Sequence, residues 1–227
     1  LINFKNIKPQ VLGQSQKGQD SFIEKILESI GVEKGYFVEF GAVDGIQSSN
    51  SWHLRINKGW TGLLLEGGQS NPAINLHDEF ITAENICAIF KKYNVPEEID
   101  FLSVDIDGQD GVVLESILKE YNIKFVMIEV NARCSPYQNL WQKFNSNWRW
   151  NGRTWYGSSP LALKKMAGKY GMTPVGVYLD DMFLVNNKFL TSIEIDVNLE
   201  DIYEQNVEIY ESHGNCTFNQ SDFEEYE

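Results

Sequence analysis

Four apolar runs, YFVEF at 36–40, TGLLLE at 61–66, DFLSVDID at 100–107 and KFVMIEV at 124–130, each carry acidic residues at their ends. Segments of helical length separate them. Strands that are apolar on both faces must be covered on both faces, the condition of a mostly parallel sheet between helices. The chain is therefore expected to be α/β, with helices on both faces of the sheet. SFIEKILESI at 21–30 has Ser21 and Glu24 in capping-box spacing and Gly31 as a stop. SNSWHLRINKG, ending in Gly59, ITAENICAIFKKY at 81–93 and DGVVLESILKEY at 110–121 supply further helices. Ser159-Pro160, a cap followed by a first-turn proline, opens another that runs to about Tyr170. TPVGVYLDDMFLVN then predicts two strands around Asp180-Asp181, an antiparallel hairpin closing the sheet.

Ligands of open α/β sheets sit beyond the carboxyl ends of the strands. Those ends here carry Glu39 with Gly41, Glu66, Asp105 with Asp107, and Glu129 with Asn131. Gly41 and Gly45 let the backbone turn and approach a ligand, and Asp44 between them accepts hydrogen bonds. Their spacing is Gly-x-x-x-Gly, not Gly-x-Gly-x-x-Gly, and acids at Glu39 and Asp44 would repel a pyrophosphate. An amine suits this loop better, and Glu66 is placed to take both hydroxyls of a ribose. S-adenosylmethionine combines ammonium and ribose without phosphate.

Seven stretches, in order, carry a resemblance: SQKGQD at 15–20, GYFVEFGAVDGIQSSNS at 35–51, KGWTGLLLEG at 58–67, ITAENI at 81–86, IDFLSVDIDGQD at 99–110, VMIEVNA at 126–132 and YGSSPLALKKMAGKYGMTPVG at 156–176. The sequence resembles the FkbM-type branch of class I S-adenosylmethionine-dependent methyltransferases, in the subgroup with a DIDGND-like signature. The resemblance implies a Rossmann-like methyltransferase domain over 1–190 and an O-methyltransferase acting on a sugar hydroxyl of a nucleotide sugar or surface glycan precursor. Other small hydroxyl or phosphate acceptors, or a silent methyltransferase-like module, are the alternatives. It further implies that Glu39, Gly41, Ala42, Asp44 and Gly45 surround the methionine end of the cofactor. Glu66 and Gly67 would lie at the ribose, Ala83 and Glu84 at the adenine, and Gln16, Asp20 and Asp105 near the same pocket. Ser49 and Asn50 would brace the first loop. Gln109 and Gly111 depart from the family pattern, which more often has Asn and an aromatic residue there.

Methyl transfer to a hydroxyl requires in-line approach and removal of a proton. Asp105 and Asp107 point to opposite faces if the strand is still regular there, and converge if it has ended. By similarity, Asp105, Glu129 and Asn131 would hold magnesium with Asp107 as the base; an all-oxygen set suits a hard cation. His53, after the first glycine loop, is a second catalytic candidate, or a packing residue, while His77 and His213 have no supporting context. Residues 131–159 form an insert holding four of the six tryptophans, read as a lid and recognition element. In it Arg133, Trp155 and Tyr156, with Asn131, are the candidates for acceptor binding.

The formal charge is −13, but after Lys188 there are eleven acidic residues and no Lys or Arg, so residues 1–188 carry 19 basic and 21 acidic groups. No basic footprint for nucleic acid is concentrated anywhere. Residues 191–227 are an acidic extension whose last stretch, GNCTFNQSDFEEYE, is expected to be mobile or an interaction surface. Three widely spaced cysteines, Cys87, Cys134 and Cys216, fit neither disulfides nor zinc and suggest free thiols in a reducing compartment. With no long apolar run or signal-peptide core, a cytoplasmic protein is expected. The start at Leu1 suggests processing or excision from a longer chain, and a homo-oligomer stays open.

Overall fold

Alternate residues of the central strands feed two separate apolar layers. The computed structural model describes residues 2–195, 197–201, 204 and 217–227, without the side chains of 191 and 192. In chain order the strands are β1 (Ile2–Asn3), β2 (Tyr36–Phe40), β3 (Thr61–Glu66), β4 (Leu76–Asp78), β5 (Glu98–Val104), β6 (Asn122–Glu129), β7 (Trp141–Gln142), β8 (Met172–Tyr178), β9 (Asp181–Asn186), β10 (Ile193–Glu194) and β11 (Phe223–Glu224). The helices are α1 (Gln19–Ser29), α2 (Trp52–Asn57), α3 (Ile86–Lys92), α4 (Asp110–Leu118) and α5 (Pro160–Lys169).

Seven strands form one sheet in the order β4-β3-β2-β5-β6-β9-β8. From β4 to β6 all neighbours are parallel, whereas β9 is antiparallel to both β6 and β8. Phe37, Leu64, Phe101, Phe125 and Phe183 face α1 and α2, meeting Phe22, Ile26 and Leu54. Val38, Leu65, Leu102, Val126 and Leu184 face α3, α4 and α5, meeting Phe90, Ile117 and Met166. Each of these buried side chains contributes about 1.5–3 kcal/mol relative to exposure, so both helical layers are anchored by the same strands.

Several boundaries differ from the sequence expectation. α1 begins at Gln19 because Gly18, at φ +90°, swings the chain into the helix two residues early. Ser21 is not the cap: its hydroxyl accepts from Gln10 N–H at 3.1 Å and donates to the Gly18 carbonyl at 2.9 Å. The Ser159 cap holds, its Oγ accepting from Ala162 N–H at 3.2 Å. The edge strand β4 was not expected.

Of the C-terminal stretch expected to be mobile or an interaction surface, residues 217–227 are described. Residues 217–227 pack along the insert, with β11 antiparallel to β7, and Phe223 and Tyr226 are buried. The Trp141 and Tyr226 rings lie 4.6 Å apart, and Trp155 meets Phe218 edge-on at 5.0 Å. His213 and Cys216 lie outside the described residues. Cys87 and Cys134 are free thiols, pushed up to about 11 and about 12, first by burial. Among the described residues no helix is long and apolar enough to cross a membrane.

Candidate functional site

Chain order runs outward from β2 to β3 and β4, then returns to β5 and continues to β6 on the other side. The strand order therefore reverses between β2 and β5, and the connections leaving their carboxyl ends part in opposite directions to leave a crevice. Gly41 forms its floor at φ +67°, so close to β5 that a Cβ would overlap the Asp105 carbonyl oxygen. Two adjoining spaces open beyond it, sharing Gln16, Gly41, Asp105 and Asp107.

The larger is a groove of about 740 Å³ passing Val43, Glu66, Gly67 and Gly68. Glu66 accepts from the Val43 N–H at 2.8 Å, which ties the end of β3 to the turn after β2. Phe80, Trp148 and Trp150 add aromatic rings to the groove's lining, with Ile81 and with Arg149 of the insert. The Arg149 guanidinium lies 3.2 Å from the Phe80 ring centroid, a cation–π contact between two residues of that lining.

The smaller space, about 190 Å³, is lined by Asp105, Asp107, Glu129, Asp180 and Asp181, with Gln16, Gln19, Ser48 and Asn50. β5 ends at Val104, so Asp105 and Asp107 do not alternate across a strand. Asp110 accepts from the N–H groups of Ile106 and Gly108, both at 2.8 Å, and curls the loop. Asp107 sits at φ +54°, a left-handed conformation that Asp tolerates. The result is convergence: one carboxylate oxygen from each of Asp105, Asp107 and Glu129 lies within 4.8 Å of the others.

Crowding of like charges away from water sets the electrostatics. Burial, then the neighbouring carboxylates, pushes Asp105 and Glu129 well above the usual range. Burial followed by Asp180 raises Asp181 to about 8, and Gln19, donating at 3.1 Å, opposes that shift. Asp107, at the mouth, is raised by partial desolvation. Glu129 Oε1 accepts from the Tyr156 hydroxyl at 3.0 Å, whereas its buried Oε2 has no hydrogen-bond partner. The Tyr156 hydroxyl is in turn made harder to ionise by burial and then by Glu129.

Several expected residues lie elsewhere. Glu39 is buried and its carboxylate is taken up internally, by Ser49 Oγ at 2.8 Å, Asn50 N–H at 2.7 Å, Ser51 N–H at 3.2 Å and Ser51 Oγ. It braces the turn and the start of α2. Asp44 accepts from the Ile46 and Gln47 N–H groups, which lower its pKa, and so closes its own turn. Ala42 is buried beneath that turn, and Gly45 donates to the Ala42 carbonyl at 2.7 Å. Asp20 holds the preceding loop by accepting from Gly13 N–H at 2.8 Å.

His53 is removed from the site. It is buried between helices, with Nε2 3.3 Å from Glu24 and Nδ1 3.0 Å from the Asn57 amide, and lines neither space. The groove is walled by Phe80 and Ile81, not by Ala83, which packs against the core, or Glu84, which is exposed. Asn131 lines neither space, and its Oδ1 accepts from the Arg133 N–H at 3.2 Å. Trp155 docks on the C-terminal segment; of the insert's named acceptor candidates, Tyr156 reaches the acids.

Sequence reasoning missed the groove-facing Trp148, Arg149 and Trp150 as individuals, and Asp180 and Asp181 as site residues. The hairpin itself was the available signal for the last two, since a hairpin entering the sheet antiparallel to β6 must turn at the same edge. Gln109 and Gly111, the two departures, serve the insert. Gln109 bonds Lys143 and Asn145 at 3.2 and 2.9 Å, and a Cβ at Gly111 would press on Trp141. No family model matches the chain, and no curated protein matches it significantly.

Proposed function

We propose that this chain is an S-adenosylmethionine-dependent O-methyltransferase with a Rossmann-like class I fold, acting on a sugar hydroxyl. The observation that carries the cofactor is the juxtaposition of Glu66 and Gly41 in one groove at the reversal of strand order, walled by Phe80, Ile81 and Trp148. A ribose diol suits the Glu66 carboxylate, and a flat base suits the aromatic wall. The cationic sulfonium and ammonium suit the acidic end beyond Gly41. A dinucleotide could also place a ribose at Glu66, but its pyrophosphate would lie at the turn of Gly41 beside Asp105 and Asp107, where repulsion disfavours it. The sugar acceptor rests on the resemblance to FkbM-type enzymes.

In the reaction the acceptor oxygen attacks the methyl carbon in line, the carbon–sulfur bond breaks with its electrons passing to sulfur, and the hydroxyl proton leaves to a base. Asp107 is the base in this reading. It lines both spaces, and desolvation raises its pKa above the ordinary aspartate value, which strengthens it as a base. The insert would exclude water and hold the acceptor beside Asp107. Calorimetry of the chain with S-adenosylmethionine and with NAD tests the reading. Saturable heat with the first alone is expected; none at millimolar S-adenosylmethionine would overturn it.

A further inference from the structure

The two spaces divide the strand ends between them. The groove runs past Glu66 of β3 and Gly41 after β2, and the smaller space continues past Asp105 to Glu129 of β6 and Asp181 of β9. At about 4.8 Å between neighbouring strands, β9 stands about 14 Å from β2. Five carboxylates, Asp105, Asp107, Glu129, Asp180 and Asp181, line the smaller space. Among the described residues the one cation paired with any of them is Lys17, on the exposed side at 4.0 Å from Asp180. Glu129 is 8% exposed and its Oε2 has no hydrogen-bond partner. A buried carboxylate oxygen without a donor costs stability, so the space calls for a donor that the chain itself does not supply.

We infer that the methyl acceptor carries a protonated amine, held as an ammonium group in this space while the hydroxyl to be methylated lies at Asp107. The inference rests on the proposed function and narrows its acceptor to an amino sugar. In that reading the cofactor's own ammonium lies at the Gly41 end and is accompanied by a carboxylate one carbon away. That end of the cofactor is neutral overall and leaves the charge at Glu129 and Asp181 unmet.

Donor chemistry and spacing favour an alkylammonium. It has three donors and no acceptor, and charge-assisted bonds of about 2.8 Å, arranged tetrahedrally about nitrogen, place the accepting oxygens about 4.6 Å apart. One carboxylate oxygen from each of Asp105, Asp107 and Glu129 lies within 4.8 Å of the others, so an ammonium fits without rearrangement. Oxygens around magnesium stand closer, about 3 Å apart for neighbours and about 4 Å across the ion, and a metal would draw the three side chains in. A sugar hydroxyl in the same place would satisfy Glu129 Oε2 but leave the like charges facing one another. Tyr156, donating to Glu129 at 3.0 Å, and Gln19, donating to Asp181 at 3.1 Å, fix two of the acids around the guest.

Calorimetric titration of the full chain with D-glucosamine and with D-glucose, in chelator near neutral pH, tests the inference, because the two sugars differ by an ammonium in place of one hydroxyl. D-Glucosamine should bind about tenfold or more tightly than D-glucose. Asp107→Asn, at the exposed loop, should weaken D-glucosamine several-fold, whereas Glu120→Gln on the outer surface should leave it unchanged. Equal affinity for the two sugars, no binding of D-glucosamine at millimolar concentration, or parent affinity in Asp107→Asn overturns the inference. So does D-glucosamine binding that appears only with added Mn²⁺, which would assign the space to a metal. S-adenosylmethionine binding without a preference for D-glucosamine rejects the amine alone. A preference for D-glucosamine without S-adenosylmethionine binding rejects the methyltransferase reading alone.

Discussion

Glu129 and Asp181 stand opposite each other in antiparallel register, the last residue of β6 against the first of β9. That pairing brings acids from a parallel strand and from the hairpin to one edge. It also has a cost: two buried carboxylates of the same set flank a space already holding Asp105 and Asp107.

The pH dependence of stability follows from Asp181. Burial and then Asp180 push its folded pKa up to about 8, far above the ordinary aspartate value. The contribution is thus fully present below the unfolded value and is lost as pH rises through the folded one. Thermal midpoints in chelator should fall between about pH 5 and about pH 8.5, and Asp181→Asn should flatten that slope. An unchanged slope in the variant would remove Asp181 as its source.

Gly41 and Gly67 should respond differently to alanine. Gly41 combines φ +67° with a Cβ position that overlaps the Asp105 carbonyl, whereas nothing lies within 4 Å of a Cβ at Gly67. Gly41→Ala should cost about 2 kcal/mol or more of stability, and Gly67→Ala should cost little. Urea denaturation of the two variants measures the difference.

Glu39 should behave as a structural acid. Replacing it by alanine strands the Ser49, Asn50 and Ser51 donors in a buried place, a loss of about 2–4 kcal/mol. The same denaturation measurement reads it, and a loss within about 0.5 kcal/mol would show that those hydrogen bonds contribute nothing.

The lid contacts give a prediction in hydrogen exchange. Tyr156→Phe removes the hydroxyl that bonds Glu129 but keeps the ring against Trp150 at 4.9 Å. Amides of residues 153–159 should exchange several-fold faster, with the central sheet unaffected. Equal exchange in parent and variant would mean that the Glu129 bond does not hold the insert.

The sheet was legible because its strands are long, apolar on both faces and punctuated by glycines. β2 and β3 begin and end where the runs YFVEF and TGLLLE do. β4 escaped because it has three residues, Leu76–Asp78, and its pairing with β3 comes from outside its own sequence. Strand-end position marked Glu66 and Glu129, but side-chain direction did not follow from it. Glu39 turned inward to α2, and the groove took Phe80 and Ile81 in place of Ala83 and Glu84. Whether Asp105 and Asp107 converge depended on where β5 stops, which is set by Asp110 bonding back to the loop. The composition of the acidic C-terminal stretch suggests a mobile segment or an interaction surface, yet Phe223 and Tyr226 give it an apolar side to bury.

Affinity for S-adenosylmethionine in Glu66→Ala and Glu84→Ala tests the central claim most directly, because one residue lines the groove and the other stands exposed outside it. Loss of the ribose contact should weaken the cofactor about tenfold or more in Glu66→Ala and leave Glu84→Ala like the parent. Parent affinity in Glu66→Ala, or no binding by the parent itself, would contradict it.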